Sequence, residues 1–162
     1  MTHDYTTFIF LPVYKDYVGS SGKVVIGNNV AFGRNATVLK GVTIGDNCFI
    51  GFGSIVTKDI PPNSVAAGAP AKVVCSLDDY YKKRKKMYIE EAFEYARSIR
   101  DNFGRRPVIA DFYEEFPIFL NGDEEEPSLP IKSQLGDVYD EYRKNHKAII
   151  NGFEEFLKQA GI

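Results

Sequence analysis

GKVVIGNNVAFGRNATVLKGVTIGDNCFIGFGSIVTKDIPP, residues 22–62, is the stretch on which the fold turns. An aliphatic or aromatic side chain returns at every sixth position, at Ile26, Phe32, Val38, Ile44, Ile50 and Val56. Four places further on in each unit runs a second column, Val30, Ala36, Val42, Cys48, Ser54 and Ile60, all small or medium in size. Glycine follows the first column at Gly27, Gly33, Gly45 and Gly51. A half-buried surface strand would alternate with period two. Six consecutive matches at period six instead describe a short strand and a turn repeated, with three units closing one triangular coil of a parallel β-helix.

Eighteen residues then make one level. Ile26 stacks on Ile44, Phe32 on Ile50 and Val38 on Val56, while Val30 with Cys48, Ala36 with Ser54 and Val42 with Ile60 line the corners. Columns of like side chains bury one continuous core. The pattern stops at Pro61-Pro62, because proline has no N–H for a ladder. Residues 63–74 read as a final partial coil. About two regular coils are fewer than the ~3 repeats a solenoid normally needs, so something else completes this core.

Composition changes near Cys75. Residues 1–75 carry six Lys and Arg against four Asp and Glu, and residues 76–162 carry fourteen against eighteen. Nine of the 14 glycines precede residue 76, whereas fourteen of the 22 Tyr and Phe follow it. The reading is a β-domain over 1–75 and a helical extension over 76–162. A net charge of −2 gives no global attraction to nucleic acid or an acidic membrane. The apolar run Phe8–Val13 is far short of the ~20 residues that span a bilayer. Two cysteines, Cys48 and Cys75, with no charged-then-apolar leader point away from a disulfide scaffold and towards the cytoplasm.

From Ser76 the period is helical. Ser76 and Asp79 make an S-x-x-D start signal, Leu77, Tyr80, Tyr81, Tyr88, Ala92, Tyr95 and Ile99 supply the stripe, and Gly104 ends it. The cluster Lys82-Lys83-Arg84-Lys85-Lys86 reads either as a phosphate-binding patch or, by preference, as a solvated helix face. A second short helix is expected over 108–116, a loop over 121–130 and a helix over 137–150. Asn151 with Glu154 predicts a capping box for a last helix carrying Phe153, Phe156 and Leu157.

With these residues in view, GVTIGDNCFIGFGSIVTKDIPPNSVAAGAPAKVV, Gly41–Val74, resembles the hexapeptide-repeat acyltransferases. The resemblance is closest to their maltose/galactoside O-acetyltransferase-like branch of sugar and polysaccharide modification. It covers Thr2 to about Val74 and implies a left-handed β-helix, a homotrimer, and acetyl-CoA in a groove between subunits. It also implies transfer of the acetyl group to a hydroxyl or amine of a sugar-type acceptor, with no metal needed.

The family's catalytic base is a histidine roughly a coil and a loop before G-K-x-x-I-G. His3 matches, in Thr2-His3-Asp4-Tyr5 before Gly22-Lys23-Val24-Val25-Ile26-Gly27, with 5–21 as a projecting loop. A lone histidine beside an N-terminus is by itself more often unengaged than catalytic; the motif reverses that preference. His146, the other histidine, reads as a surface residue of the tail. For the CoA, the resemblance points to Thr57 and Lys58, to Lys72, and to the turns Gly33-Arg34 and Gly51-Phe52, where the family's backbone meets the pantetheine arm. Lys58 and Lys72 taken alone would be ordinary surface lysines. Cys48 and Cys75 read as packing residues.

Three departures stand out. The resemblance implies further coils before the histidine that carry acceptor-binding side chains, whereas the residues here open on Met1-Thr2-His3. Ala31 replaces an aromatic common there, with Phe32 in the inward column. The first strand is a candidate for fraying. A catalytically weakened β-helix serving as an oligomerisation or scaffold module is therefore the rival expectation. A γ-type carbonic anhydrase, also a left-handed β-helix, needs three histidines for zinc and is excluded by two distant ones.

Overall fold

The computed structural model describes residues 2–162, with the backbone alone at Thr2 and His3. Two compact units divide the chain, residues 1–84 and 85–162, with the boundary inside a long helix.

In the first unit the strands are β1 (Thr2–His3), β2 (Ser21–Gly22), β3 (Val25–Ile26), β4 (Ala31–Phe32), β5 (Thr37–Val38), β6 (Thr43–Ile44), β7 (Phe49–Ile50), β8 (Ile55–Val56), β9 (Ser64–Gly68) and β10 (Ala71–Ser76). A helix, α1 (Thr7–Tyr14), sits between β1 and β2. Three parallel pairs, β3 on β6, β4 on β7 and β5 on β8, put Ile26 beside Ile44, Phe32 beside Ile50 and Val38 beside Val56. The six-residue columns are thus the three faces of a coil, each step returning after eighteen residues.

Below the second coil the spacing shortens to sixteen: Phe49 pairs with Val65 and Ile50 with Ala66. Ile60, expected below Val42 in the second column, instead bridges Ile44, donating to Thr43 O at 2.9 Å while its own carbonyl accepts from Gly45 N. Pro61-Pro62 cannot enter the ladder, and the chain contracts by two residues to place Ile60 there. The expected partial coil over 63–74 is corrected as well. β9 stacks in parallel under β7, and β10 then returns antiparallel along β9. This hairpin, with Tyr80 stacked on Phe49 at 5.8 Å, closes the lower end.

The core follows the columns. Ile44 and Ile50 are 1% and 0% exposed, whereas Ile26 and Phe32 one level above are 48% and 41% exposed. Along one corner Asn29, Asn47 and Asn63 all take left-handed backbone, φ 54° to 56°. Their amides form a ladder, Asn29 Nδ2 to Asn47 Oδ1 at 3.1 Å and Asn47 Nδ2 to Asn63 Oδ1 at 3.0 Å. Asparagine tolerates this conformation because its short polar side chain bonds locally.

Helix α2 (Leu77–Phe103) starts where the S-x-x-D signal placed it: Ser76 Oγ donates to Asp79 Oδ2 at 2.7 Å and accepts from Asp79 N at 3.1 Å. Gly104, φ +62°, ends it. The second unit continues through 3-10 turns at Ile109–Asp111 and Phe116–Ile118, then α3 (Ile131–Leu135), α4 (Tyr139–Asn145) and α5 (Phe153–Gln159). Three expectations are corrected here. Residues 108–116 form no α-helix: Asp111 turns back to accept from Val108 N and Arg105, and Pro117 withholds an N–H. The helix expected over 137–150 is a 3-10 turn at Gly136–Val138 running into α4 and stops at Asn145, because the amides of Ile149 and Ile150 leave the helical path to donate to Ile118 O. Gly152, φ +86°, takes the cap position assigned to Asn151, and Glu154 pairs with Arg106. The core is aromatic: Phe112 packs against Phe119, Phe153 and Phe156 at ring distances of 5.2 to 6.0 Å.

Candidate active site

His3 lies in β1, where its backbone is opposite Ser21 of β2. Its side chain is outside the described residues. Asp4, the next residue, is anchored from two sides, by Thr6 Oγ1 at 2.8 Å and by an ion pair with Lys40 in the turn after β5. The Lys40 ammonium above all, then the hydroxyls of Thr6 and Ser20, holds the Asp4 carboxyl well below the usual carboxylate range. The excursion after Asp4 is closed at its neck by Asp4 N donating to Ser20 O at 3.3 Å and by Thr7 Oγ1 donating to Val18 O.

That excursion carries α1, which buries none of its side chains. Tyr5 and Tyr17 are each 75% exposed and Phe8 is 71% exposed. A cleft of about 170 Å³ opens on one side, lined by Asp4, Tyr5, Thr7, Phe8, Tyr17, Gly19 and Ser20. The sequence presents 5–21 as a projecting loop; the folded chain puts α1 inside it and draws this lining together. The signal was available as a run of aromatics beside a carboxylate and the candidate histidine.

At the corner following β4, β7 and β9 the backbone is bare and tightly stacked. Gly33 N donates to Ile50 O at 2.7 Å, Gly51 N to Ala66 O at 2.8 Å and Gly53 N to Arg34 O at 2.9 Å. A Cβ on Gly33 would stand 2.5 Å from Phe52 N and 2.7 Å from its Cα, so only glycine permits this approach. Gly33-Arg34 and Gly51-Phe52 are therefore brought together, one level apart. Lys72 belongs to the same side of the coil, opposite Ala67 in the β9–β10 pair. Thr57 and Lys58 follow β8 at a different corner, though β10 comes into contact with β8. Asp59 Oδ1 accepts from Thr43 N at 2.7 Å and pins the turn that presents them. Among the described residues no hydrogen bond or ion pair engages the side chains of Arg34, Lys58 or Lys72, all of them exposed.

The remaining candidates behave as packing groups. Cys48 is 2% exposed, its Sγ 3.2 Å from Pro61 O, and Cys75 is half-buried in β10. His146 is not the free surface residue expected. It stacks on Tyr142 at 4.4 Å and its Nε2 lies 2.7 Å from Pro117 O. The lysines of the 82–86 cluster are solvent-exposed, with Lys82 paired to Asp78 one turn earlier at 2.5 Å.

Residues 23–58 match the family described as bacterial transferase hexapeptide (six repeats). Over 68 residues the chain is 54% identical to the galactoside O-acetyltransferase of Escherichia coli, a match covering 40% of this chain and 34% of that protein. It is 41% identical over 71 residues to the 2,3,4,5-tetrahydropyridine-2,6-dicarboxylate N-acetyltransferase of Enterococcus faecalis, covering 44% of this chain and 30% of that protein. A solved galactoside acetyltransferase in complex with coenzyme A aligns with TM-score 0.41 and 46% identity, covering 50% of this chain and 38% of that one. The match to the bacterial transferase hexapeptide repeat is therefore confined to residues 23–58, and the chain spans about a third of the length of the curated relatives it matches.

Proposed function

We propose that the chain is an acetyl-CoA-dependent acetyltransferase acting on a hydroxyl or amine of a sugar-type acceptor. The coil would be the left-handed β-helix of the hexapeptide enzymes over 1–75, carrying a helical extension over 76–162 and working as a homotrimer. The observation that carries the reading is the bare corner at Gly33 and Gly51, with Arg34, Lys58 and Lys72 unengaged around the coil. A corner free of side chains leaves room for a slender amide-bearing arm to lie along the coil, and exposed lysines suit phosphates as point charges. In this reading Gly33, Arg34, Gly51 and Phe52 line the pantetheine path while Thr57, Lys58 and Lys72 hold the phosphate end.

His3 is the general base. Its neutral imidazole takes the acceptor's proton as the acceptor oxygen or nitrogen bonds to the thioester carbonyl carbon. The carbon–sulfur bond then breaks, and the proton passes from His3 to the departing sulfur, leaving acetylated acceptor and free CoA thiol. Backbone N–H at a coil turn would receive the transient oxyanion.

A scaffold role is the second reading, favoured by the uncovered upper coil at Ile26 and Phe32. Titration with acetyl-CoA separates the two, since a scaffold has no reason to bind it. Lys58→Ala and Lys72→Ala should each weaken binding by about 1.5–3 kcal/mol. His3→Ala should retain affinity yet lower thiol release across a panel of sugars and aminosugars by ~10²–10⁴-fold. Unchanged affinity in both lysine variants would remove the CoA assignment, and an unchanged rate in His3→Ala would remove the base.

A further inference from the structure

The cleft beside α1 combines two chemistries seldom exposed together. Tyr5 and Phe8 stack with ring centroids 5.8 Å apart and planes 29° from parallel, and both rings belong to the cleft lining. Tyr17, on the return segment, is a further aromatic in the lining. Leaving three such rings in water forfeits hydrophobic stabilisation, and patches of this kind mark binding surfaces. Asp4 lies in the same lining. Thr6, Lys40 and the Ser20 hydroxyl engage its oxygens, but an ionised carboxylate has about four lone-pair sites, so acceptor capacity remains. Thr7, Ser20 and Gly19 complete the wall.

We infer that this cleft holds a pyranose ring, with the C–H face of the sugar on the Tyr5, Phe8 and Tyr17 rings and ring hydroxyls donating to Asp4. The inference rests on the proposed acetyl transfer for its role, as the acceptor half of that site. Aromatic rings match the apolar face of a pyranose, and a carboxylate kept ionised matches its hydroxyl edge through charge-assisted hydrogen bonds. At about 170 Å³ the cleft is below the ~300–1,000 Å³ that hold drug-sized ligands and suits a single ring. The cleft begins one residue after the proposed base, since Asp4 follows His3 in the chain.

The test uses the full chain and two readouts. In the absence of acetyl-CoA, ring signals of Tyr5 and Tyr17 are followed by NMR during titration with methyl pyranosides, with sorbitol as an open-chain polyol control. The expected result is saturable shifts with the pyranosides, none with sorbitol, and their loss in Tyr17→Ala. Since Tyr17 is 75% exposed, truncating it hollows no core. In the thiol-release assay Tyr17→Ala and Tyr5→Ala should raise the acceptor KM at least tenfold while the acetyl-CoA KM stays within twofold. The inference is overturned if pyranosides leave the ring signals unmoved, if sorbitol shifts them equally, or if the signals move with protein concentration alone, the mark of an interface between copies. It is also overturned if turnover is present and the acceptor KM is unaltered in both variants. Failure of the acetyl-transfer reading looks different: no acetyl-CoA binding and no thiol release, with the pyranoside shifts still present.

Discussion

The ion pair between Asp4 and Lys40 ties the neck of the α1 excursion to the turn after β5, thirty-six positions beyond Asp4 by sequence yet adjacent in space. Because Asp4 has its pKa depressed in the folded chain, its contribution is present above the ordinary carboxylate value of ~3.9 and lost only as pH falls through the lower folded value. The anchor should therefore persist at pH 4, where a free aspartate is about half protonated. Replacing Lys40 with methionine should return Asp4 towards ordinary titration, read as its carboxyl carbon shift against pH; an unchanged titration would assign the depression to Thr6 and Ser20 alone. Gly33 makes a different demand. Gly33→Ala sets a methyl group against the Phe52 backbone and should cost about 1–3 kcal/mol in denaturant unfolding.

Among elements, the coils differ by how completely they are covered. Ile44 has a strand pair above it and the Ile60 bridge below, and is 1% exposed; Ile26 is paired on one side only and is 48% exposed. Ile44→Ala should cost about 2–5 kcal/mol, whereas Ile26→Ala should cost less than half as much, measured side by side in the full chain. Equal losses would mean that the upper coil is covered in solution, as a docked partner or a further coil would cover it. The turn positions add a second stabilising column, since each Asn amide bonds to the next and each accepts a backbone that few other side chains tolerate.

Across the whole molecule the two units respond to different conditions. The repeat unit stands on aliphatic columns and backbone ladders with little buried that titrates, while the helical unit buries tyrosine hydroxyls. Burial raises Tyr88 above its ordinary value and pushes Tyr142 up to about 12. Each contribution is fully present below the ordinary tyrosine value of ~10 and is lost as pH rises through the folded value. Helical signal should accordingly fall between pH 10 and about 12. The Tyr142 hydroxyl has no hydrogen-bond partner among the described residues, so Tyr142→Phe should blunt that alkaline loss and leave neutral-pH stability unchanged or slightly higher. A variant that unfolds at the same alkaline pH as the parent would place the sensitivity elsewhere.

What the sequence by itself determined is whatever repeats or stays local. The period-six columns named the stacked pairs Ile26 with Ile44, Phe32 with Ile50 and Val38 with Val56, because every coil imposes the same steric demand on the same position. Ser76 with Asp79 located the start of α2 for a similar reason, a cap being settled within four residues. Tertiary structure alone decided the rest. The contraction that brings Ile60 under Ile44, the reversal of β10 along β9, the capture of Ile149 and Ile150 by Ile118 O, and the seat of His146 on Tyr142 all depend on partners distant in sequence. So does the candidate site: Gly33 and Phe52 meet only when the coils stack, and the Tyr5, Phe8 and Tyr17 lining forms only when the excursion closes at its neck. A motif names residues one at a time, but their proximity is a property of the folded chain, set by ladders and packing that no local pattern encodes.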